Sequence, residues 1–311
     1  MVFKWLLQIF DYSPKTASAG QFFTLWLRTV FFAATSILSL FGFDGGAQAQ
    51  NRPSTCLAIA QTLPNVIYAS ASSLEVFKPA AIIKTKGLAN HEVRITFSGH
   101  STYIIESEKG VTIATDFSGY SGAETPRVVT MNRAHSSHFT DYPDPKIKHV
   151  LRGWNPDGGP ASHYLTVDDV LIRNVTTDIL TGGLHMVNGN SIFIFEVAGL
   201  CIGHLGHLHH ALTEEHYAKI GRLDVVMVPI DGAMTLSLGG MSEIMKRLRS
   251  SIILPMHARG WATPADFINM LGADFESNYL KSRSFVVSLF DLPKRPTVIV
   301  PAGLSYRGFE E

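Results

Sequence analysis

Val128-Val129-Thr130-Met131-Asn132-Arg133-Ala134-His135-Ser136-Ser137-His138 is the stretch on which the fold is decided. A short apolar, β-branched run gives way to a polar segment carrying two histidines three residues apart. Such runs, bounded by turn-forming residues, read as strands. The pair therefore leaves a strand end on a tight loop, where both rings can face one pocket. An i, i+3 pair alone arises often by chance. Here the pattern recurs in Gly183-Leu184-His185, in Gly203-His204-Leu205-Gly206-His207 and in Leu254-Pro255-Met256-His257. Each histidine follows or interrupts an apolar run, and strand ends on a rigid sheet can hold several imidazoles around one Zn²⁺.

Upstream, Phe97-Ser98-Gly99-His100-Ser101-Thr102-Tyr103-Ile104-Ile105-Glu106 suggests a pair of strands meeting at a turn, and Ile113-Ala114-Thr115-Asp116 a third strand ending in an acid. Downstream come Gly199-Leu200-Cys201-Ile202-Gly203-His204-Leu205-Gly206-His207 and the closing Leu254-Pro255-Met256-His257. In this order the segments resemble the metallo-β-lactamase superfamily from Val93 to Ala258, and within it the branch of ascorbate-6-phosphate lactonase-like hydrolases. The resemblance implies an α/β fold, a metallo-β-lactamase-like αββα sandwich of two packed sheets flanked by helices.

The ligand motif departs from that family. Its H-x-H-x-D-H reads here Arg133-Ala134-His135-Ser136-Ser137-His138, so Arg133 replaces a histidine and Ser137 the aspartate. His207 stands where the family's H-L-G-D segment carries an aspartate. By carry-over, His135 and His185 would serve one metal, and His138 and His257 the other. With both carboxylates gone and a permanent cation at Arg133 repelling an ion beside it, the expectation is a single Zn²⁺ or other transition metal. His135, His138, His207 and His257 would hold it, with His185 close enough to join.

Arg133 and Asp231 are the candidate catalytic residues. The Arg133 guanidinium either grips a substrate carboxylate or phosphate bidentately or pairs with an acid such as Asp231 or Asp141. Asp231, in Val228-Pro229-Ile230-Asp231-Gly232, either steadies a ligand histidine or shapes a turn before glycine. Ser137 has no base at catalytic-triad spacing and is not read as a nucleophile. His100 and Asp116 are expected to brace the loops and His204 to support the site. His209 and His210 extend the cluster; His91, His149, His163 and His216 carry no motif.

The resemblance implies a metal-dependent hydrolase in which metal-bound hydroxide attacks an ester, lactone or phosphodiester bond. The changed ligands leave open a non-catalytic descendant that binds metal or an anion, and a nitrogen-only site also suits an iron oxidoreductase. Lys+Arg and Asp+Glu balance at 26 each, which provides no electrostatic footprint for nucleic acid. The expected partner is a small-molecule substrate, anionic where Arg133 grips it, and no obligatory protein partner is evident.

At the N-terminus Lys4, Lys15 and Arg28 precede the apolar stretch Thr29 to Phe43, and Ala47-Gln48-Ala49 follows. That order suggests a secretory signal, hence a periplasmic or secreted protein. The alternative is an uncleaved membrane anchor. The division expected is 1–49 signal peptide, 50–90 N-terminal extension and 91–311 metallo-β-lactamase-like domain. An exported chain would permit a bridge between Cys56 and Cys201, but Cys201 reads equally well as a small buried hydrophobe, so no disulfide is assumed.

Strands are further expected at Val93–Phe97, Tyr103–Glu106, Val111–Thr115, Val167–Val175, Ser191–Val197 and Val225–Pro229, with a turn at Asn188-Gly189-Asn190. Helices are expected from an N-cap at Thr213 to near Gly221, over Ser242 to Leu248, and over Pro264 to Leu271.

Overall fold

Alternation sets the first sheet. In β1 (Glu92–Gly99) the side chains of Val93, Ile95 and Phe97 are buried while their neighbours stay part-exposed, as a strand with one covered face requires. β2 (Thr102–Glu106), β3 (Thr112–Ala114), β4 (Val128–Met131) and β5 (His149–Arg152) follow. With β13 (Ser284–Ser288) they form a six-stranded sheet in the order β13-β1-β2-β3-β4-β5. The second sheet comprises β6 (Tyr164–Val167), β7 (Val170–Thr181), β8 (Leu184–Val197), β9 (Leu200–His204), β10 (Val225–Pro229), β11 (Ile252–Met256), β12 (Glu276–Tyr279) and β14 (Thr297–Val300). Its eight strands run in the order β12-β14-β11-β10-β9-β8-β7-β6. In this computed structural model the described residues are 52–57, 87–181, 183–258 and 263–304. The expected signal peptide and most of the extension lie outside them. Among the described residues no helix is long and apolar enough to cross a membrane.

Three helices lie between strands of the second sheet. α1 (Glu214–Ile220) has Thr213 as N-cap, with its hydroxyl on the His216 N–H and the His216 ring reaching back to the Thr213 N–H. His216 is thus part of a capping box rather than an idle surface residue. α2 (Leu238–Leu248) begins four residues before the expected start, because Ser237 caps the free N–H of Gly240. α3 (Pro264–Leu271) runs between the expected bounds, with Pro264 in the first turn and Thr263 as cap.

One apolar cluster takes Val93, Ile95, Ile105 and Ile113 from the first sheet and Phe193, Ile202, Val226 and Leu254 from the second. The two sheets therefore share a core. Tyr103 crosses it, donating from its hydroxyl to the Pro255 carbonyl at 2.7 Å. Strands β9, β10, β11 and β14 pair in parallel, and all five residues of each of β9, β10 and β11 are buried. Covering on both faces is what parallel strands need.

Two expected strand boundaries are corrected. Val167–Val175 is broken at Asp168, whose φ of 48° turns β6 into β7. Asn188-Gly189-Asn190 does not end a hairpin: β8 runs straight through it. Asn188 takes a φ of 56° and the ladder absorbs the kink by a register shift between Thr177 and Ile179.

The cysteines do pair. Cys56 and Cys201 form a disulfide that joins positions 145 residues apart, pinning the segment before the first strand to β9. The sequence reading assumed no bridge. Both residues are fully buried, and a buried cysteine looks the same in sequence whether or not a partner waits across the fold.

Candidate metal centre

Parallel strands β3, β4, β9, β10 and β11 bring their C-terminal ends together, the end at which open α/β sheets bind ligands. His135 and His138 follow β4, His207 follows β9, Asp231 follows β10, His257 follows β11, and Asp116 follows β3. The turn from β1 to β2 adds His100. The rings of His100, His135, His138, His207 and His257 form one cluster. Centroids lie 4.3 Å apart for His135 and His138, 4.3 Å for His100 and His257, and 4.6 Å for His138 and His207. One nitrogen from each of His100, His135, His138 and His257 can be chosen so that all four lie within 4.8 Å of one another.

The loop after β4 closes on itself. The Asn132 N–H donates to the His138 carbonyl at 3.2 Å and the His138 N–H to the His135 carbonyl at 2.9 Å. That tight turn holds the His135 and His138 Nε2 atoms 3.2 Å apart. Two nitrogens ligating one tetrahedral Zn²⁺ at about 2.0–2.1 Å stand roughly 3.3–3.4 Å from each other, so the spacing fits a shared ion.

Hydrogen bonding sets the tautomers. His138 is fully buried. Its Nδ1 faces the Asp116 carboxylate, which can only accept, so in the neutral ring, the form that ligates a metal, Nε2 carries the lone pair. Asn132 donates to the other Asp116 oxygen at 3.2 Å. Burial works against the Asp116 charge, but the His138 and His204 rings and the Ser101 hydroxyl outweigh it and hold the carboxyl well below the usual range. His204 donates from Nε2 to the Ser101 carbonyl at 2.9 Å and accepts the Gly206 N–H at Nδ1 at 3.0 Å. Both its nitrogens are engaged, so it supports the loop beneath the cluster.

His207 Nδ1 meets His209 Nε2 at 2.7 Å. Burial lowers the His209 pKa and keeps that ring neutral, and where its Nε2 accepts, His207 Nδ1 is the donor. His207 Nε2 is then a buried lone pair with no partner. Burial, then the His138 and His257 rings, push the His207 pKa down to about 2, so the ring is neutral, as a ligand must be. Its backbone is fixed by Asn190, whose side-chain oxygen accepts the His207 N–H at 2.8 Å. Gly206 permits this: its φ is +62°, and a Cβ there would collide with the Asn190 and Asn132 side chains.

His257 has a φ of 53° and hangs from the His100 carbonyl through its N–H at 2.8 Å. Its Nδ1 is 3.3 Å from Asp231 Oδ1, outside hydrogen-bond alignment, and its buried Nε2 has no partner. His100 and Asp116 also sit at positive φ, 51° and 49°. Left-handed backbone at non-glycine residues is uncommon and clusters at functional sites. Buried ring nitrogens without partners cost about 1–3 kcal/mol each, and a cation among them removes that cost. The donor set thus fits a metal on the strength of its orphaned nitrogens.

Asp231 carries both contacts considered for it. Its Oδ2 accepts the Ala233 and Thr235 N–H groups at 3.2 Å each, shaping the turn, while Oδ1 takes the Thr235 hydroxyl and faces His257. Against the cost of burial, His257 and Thr235 hold its carboxyl far below the ordinary value. Arg133 is exposed and, among the described residues, makes no ion pair with Asp231, Asp141 or any other acid. Its N–H donates to the Gly189 carbonyl at 3.2 Å.

His185 lies apart from the cluster. It sits on the exposed end of β8 with Nε2 on Asp178 Oδ2 at 2.7 Å. His100, expected only as a brace, stands inside the cluster instead. The available signal was its place in a Gly-His-Ser-Thr turn between two strands, at the sheet end where β4 also finishes.

A family model described as "Beta-lactamase superfamily domain" matches residues 94–257. A metal-dependent hydrolase of Pyrococcus furiosus is 25% identical over 214 residues, covering 58% of this chain and 92% of its own length. One of Thermoplasma volcanium is 23% identical over 215 residues, with the same coverages of 58% and 92%. A solved Thermotoga maritima structure of the metallo-β-lactamase superfamily is 27% identical, with a TM-score of 0.49, over 67% of this chain and 98% of that one.

Proposed function

The chain belongs to the beta-lactamase superfamily, and from that premise we propose that it is a metal-dependent hydrolase of small-molecule esters, lactones or phosphodiesters. The observation that carries this is the set of buried, partnerless nitrogens on His207 and His257 beside the paired Nε2 atoms of His135 and His138. His135, His138, His207 and His257 would hold one ion, Zn²⁺ by donor chemistry. Bound there, the ion supplies Lewis acidity and makes water acidic enough to ionise near neutral pH.

The chain's own groups do the rest. Asp116 fixes the His138 tautomer and His209 that of His207, as imidazole ligands ordinarily require, while Asp231 places a carboxylate 3.3 Å from His257 Nδ1. The cluster contains no carboxylate ligand, and this favours a second reading, a protein that binds metal or an anion without turnover. Metal content per purified chain, followed by a screen of ester, lactone and phosphodiester substrates, separates them. About one metal per chain with turnover supports the hydrolase, metal without turnover the binding protein, and a metal-free chain neither.

Arg133, exposed and engaging no acid among the described residues, is the group proposed to take a substrate's anionic end. One charge-assisted contact is worth roughly 1.5–3 kcal/mol. Arg133→Ala should therefore raise KM for an anionic substrate about tenfold or more, with metal stoichiometry unchanged. Equal KM values for the variant and the parent would remove Arg133 from the binding site.

We also propose export to an oxidising compartment. The basic-apolar-small order of residues 1–49 and the Cys56–Cys201 disulfide support it. Mass spectrometry of the native protein should find an N-terminus near Gln50; a mature chain retaining Phe22 would favour a membrane anchor.

A further inference from the structure

The hydroxyl of Ser137 lies between two imidazoles. Its Oγ is 2.8 Å from His135 Nδ1 and 2.9 Å from His100 Nε2. Ser137 and His135 share the half-buried loop after β4, which the Asn132 and His138 N–H bonds close, while His100 comes from the turn between β1 and β2. These distances matter because a hydroxyl has one hydrogen to give, so the two contacts run in a definite direction.

We infer that Ser137 is the positioning residue of the metal centre, a neutral hydroxyl that sets the His135 tautomer and ties it to that of His100. His135 Nε2 faces His138 Nε2 at 3.2 Å. The His138 nitrogen is a lone pair, because its Nδ1 hydrogen is committed to Asp116. For both Nε2 atoms to bind one cation, His135 must carry its hydrogen on Nδ1. Ser137 Oγ accepts that hydrogen and donates its own to His100 Nε2. His100 then bears its hydrogen on Nδ1, and its Nε2 lone pair is occupied by the serine instead of the metal.

Without a metal the same chain runs the other way. His100 Nε2 donates to Ser137, Ser137 to His135 Nδ1, and His135 Nε2 to the His138 lone pair, ending at Asp116. Every acceptor in that sequence is satisfied by the distances observed. A cation held by both Nε2 atoms would require the opposite sense, with His100, whose ring lies 4.3 Å from that of His257, accepting from Ser137 instead of donating to it. The hydroxyl takes the orienting place that carboxylates hold beside His138 and His257, without adding a negative charge.

The inference rests on the proposal that this cluster binds metal, and its test separates the two. Zinc affinity is measured by chelator competition on the full chain and on its Ser137→Ala and Ser137→Thr variants. Losing an orienting partner of a ligand histidine typically costs 10–100-fold in metal affinity. Ser137→Ala should thus bind zinc roughly 10–100-fold more weakly, and Ser137→Thr, which keeps the hydroxyl, should recover most of the loss. Parent affinity in Ser137→Ala, or a Ser137→Thr variant as weak as Ser137→Ala, overturns the inference while leaving the metal site standing. No zinc uptake by the parent overturns both. Should Ser137→Ala fail to fold, ¹⁵N NMR of the zinc-loaded parent decides. A hydrogen on His135 Nδ1 and an unprotonated His100 Nε2 are expected, and a hydrogen on His135 Nε2 refutes the assignment.

Discussion

His257→Ala should remove most of the metal that the chain is proposed to bind. Structural zinc sites contribute about 10–16 kcal/mol over three or four ligands, so one ligand is worth roughly 2.5–5 kcal/mol, a loss of affinity on the order of a hundredfold or more. His257 is the sharpest test because its Nε2 has no protein partner to satisfy it. A bound cation would satisfy this buried imidazole, held at a φ of 53° with that atom unengaged among the described residues. The fold should survive the change. The His100 carbonyl bonds to the backbone N–H at position 257, which alanine keeps, and Asp231 retains its bonds to Ala233 and Thr235. Equilibrium dialysis against zinc, with circular dichroism as a control for folding, reads the result. Parent stoichiometry in the folded variant would sink the ligand assignment.

The sheets were legible because period-two patterning and turn residues are local signals. Val93, Ile95 and Phe97 alternate with part-exposed neighbours, and α3 could be bounded from Thr263, Pro264 and the glycine at 272 alone. Four histidines, His135, His138, His207 and His257, were likewise readable as strand-end residues, and the fold gathers them. His185 was misplaced for a reason that spacing cannot show. It lies in a strand, but that strand continues past the point where a turn was expected, carrying His185 out to an exposed contact with Asp178. How far a hairpin projects depends on the register of its ladder, here altered by the shift between Thr177 and Ile179. His100 was underrated for the converse reason. Its cluster partners are 35 or more positions away in sequence, and only the shared end of two sheets brings them together.

The site also shows why loss of the family's carboxylates is compatible with a metal. Asp116 and Asp231 each stand one ring back from the cluster's centre, against His138 and His257. Their charge reaches the centre through imidazoles rather than by direct ligation. An ion held this way would keep more of its Lewis acidity than one neutralised by coordinated carboxylates. Ser137 and His209 complete the same pattern for His135 and His207 with neutral groups.

Loss of the Cys56–Cys201 bridge should be the largest single effect on stability. It closes a loop with a sequence separation of 145. Restricting the unfolded chain over such a loop stabilises the fold by about 2–5 kcal/mol, towards the upper end for a loop this long. In a domain of this size that corresponds to a fall in Tm on the order of 10 °C. The Cys56→Ala, Cys201→Ala double variant is the suitable probe, since alanine fits two fully buried positions with little polar cost. Other contacts keep the anchored segment in place. The buried Glu196 carboxylate accepts from the Ser54 hydroxyl, the Thr55 N–H at 2.8 Å and Arg173 Nε at 2.9 Å, and Arg222 donates its N–H to the Cys56 carbonyl at 3.1 Å. The native state should thus be retained, so the deficit arises from the freed unfolded chain. Calorimetry of the parent with and without reductant, beside the double variant, tests this. Reduced parent and double variant should melt together, well below the oxidised parent, with zinc stoichiometry unaltered because His207 is held by Asn190 and not by the bridge. Coincident melting of all three would show that the bridge contributes nothing. Zinc lost along with the bridge would mean that β9 needs the disulfide to present His207.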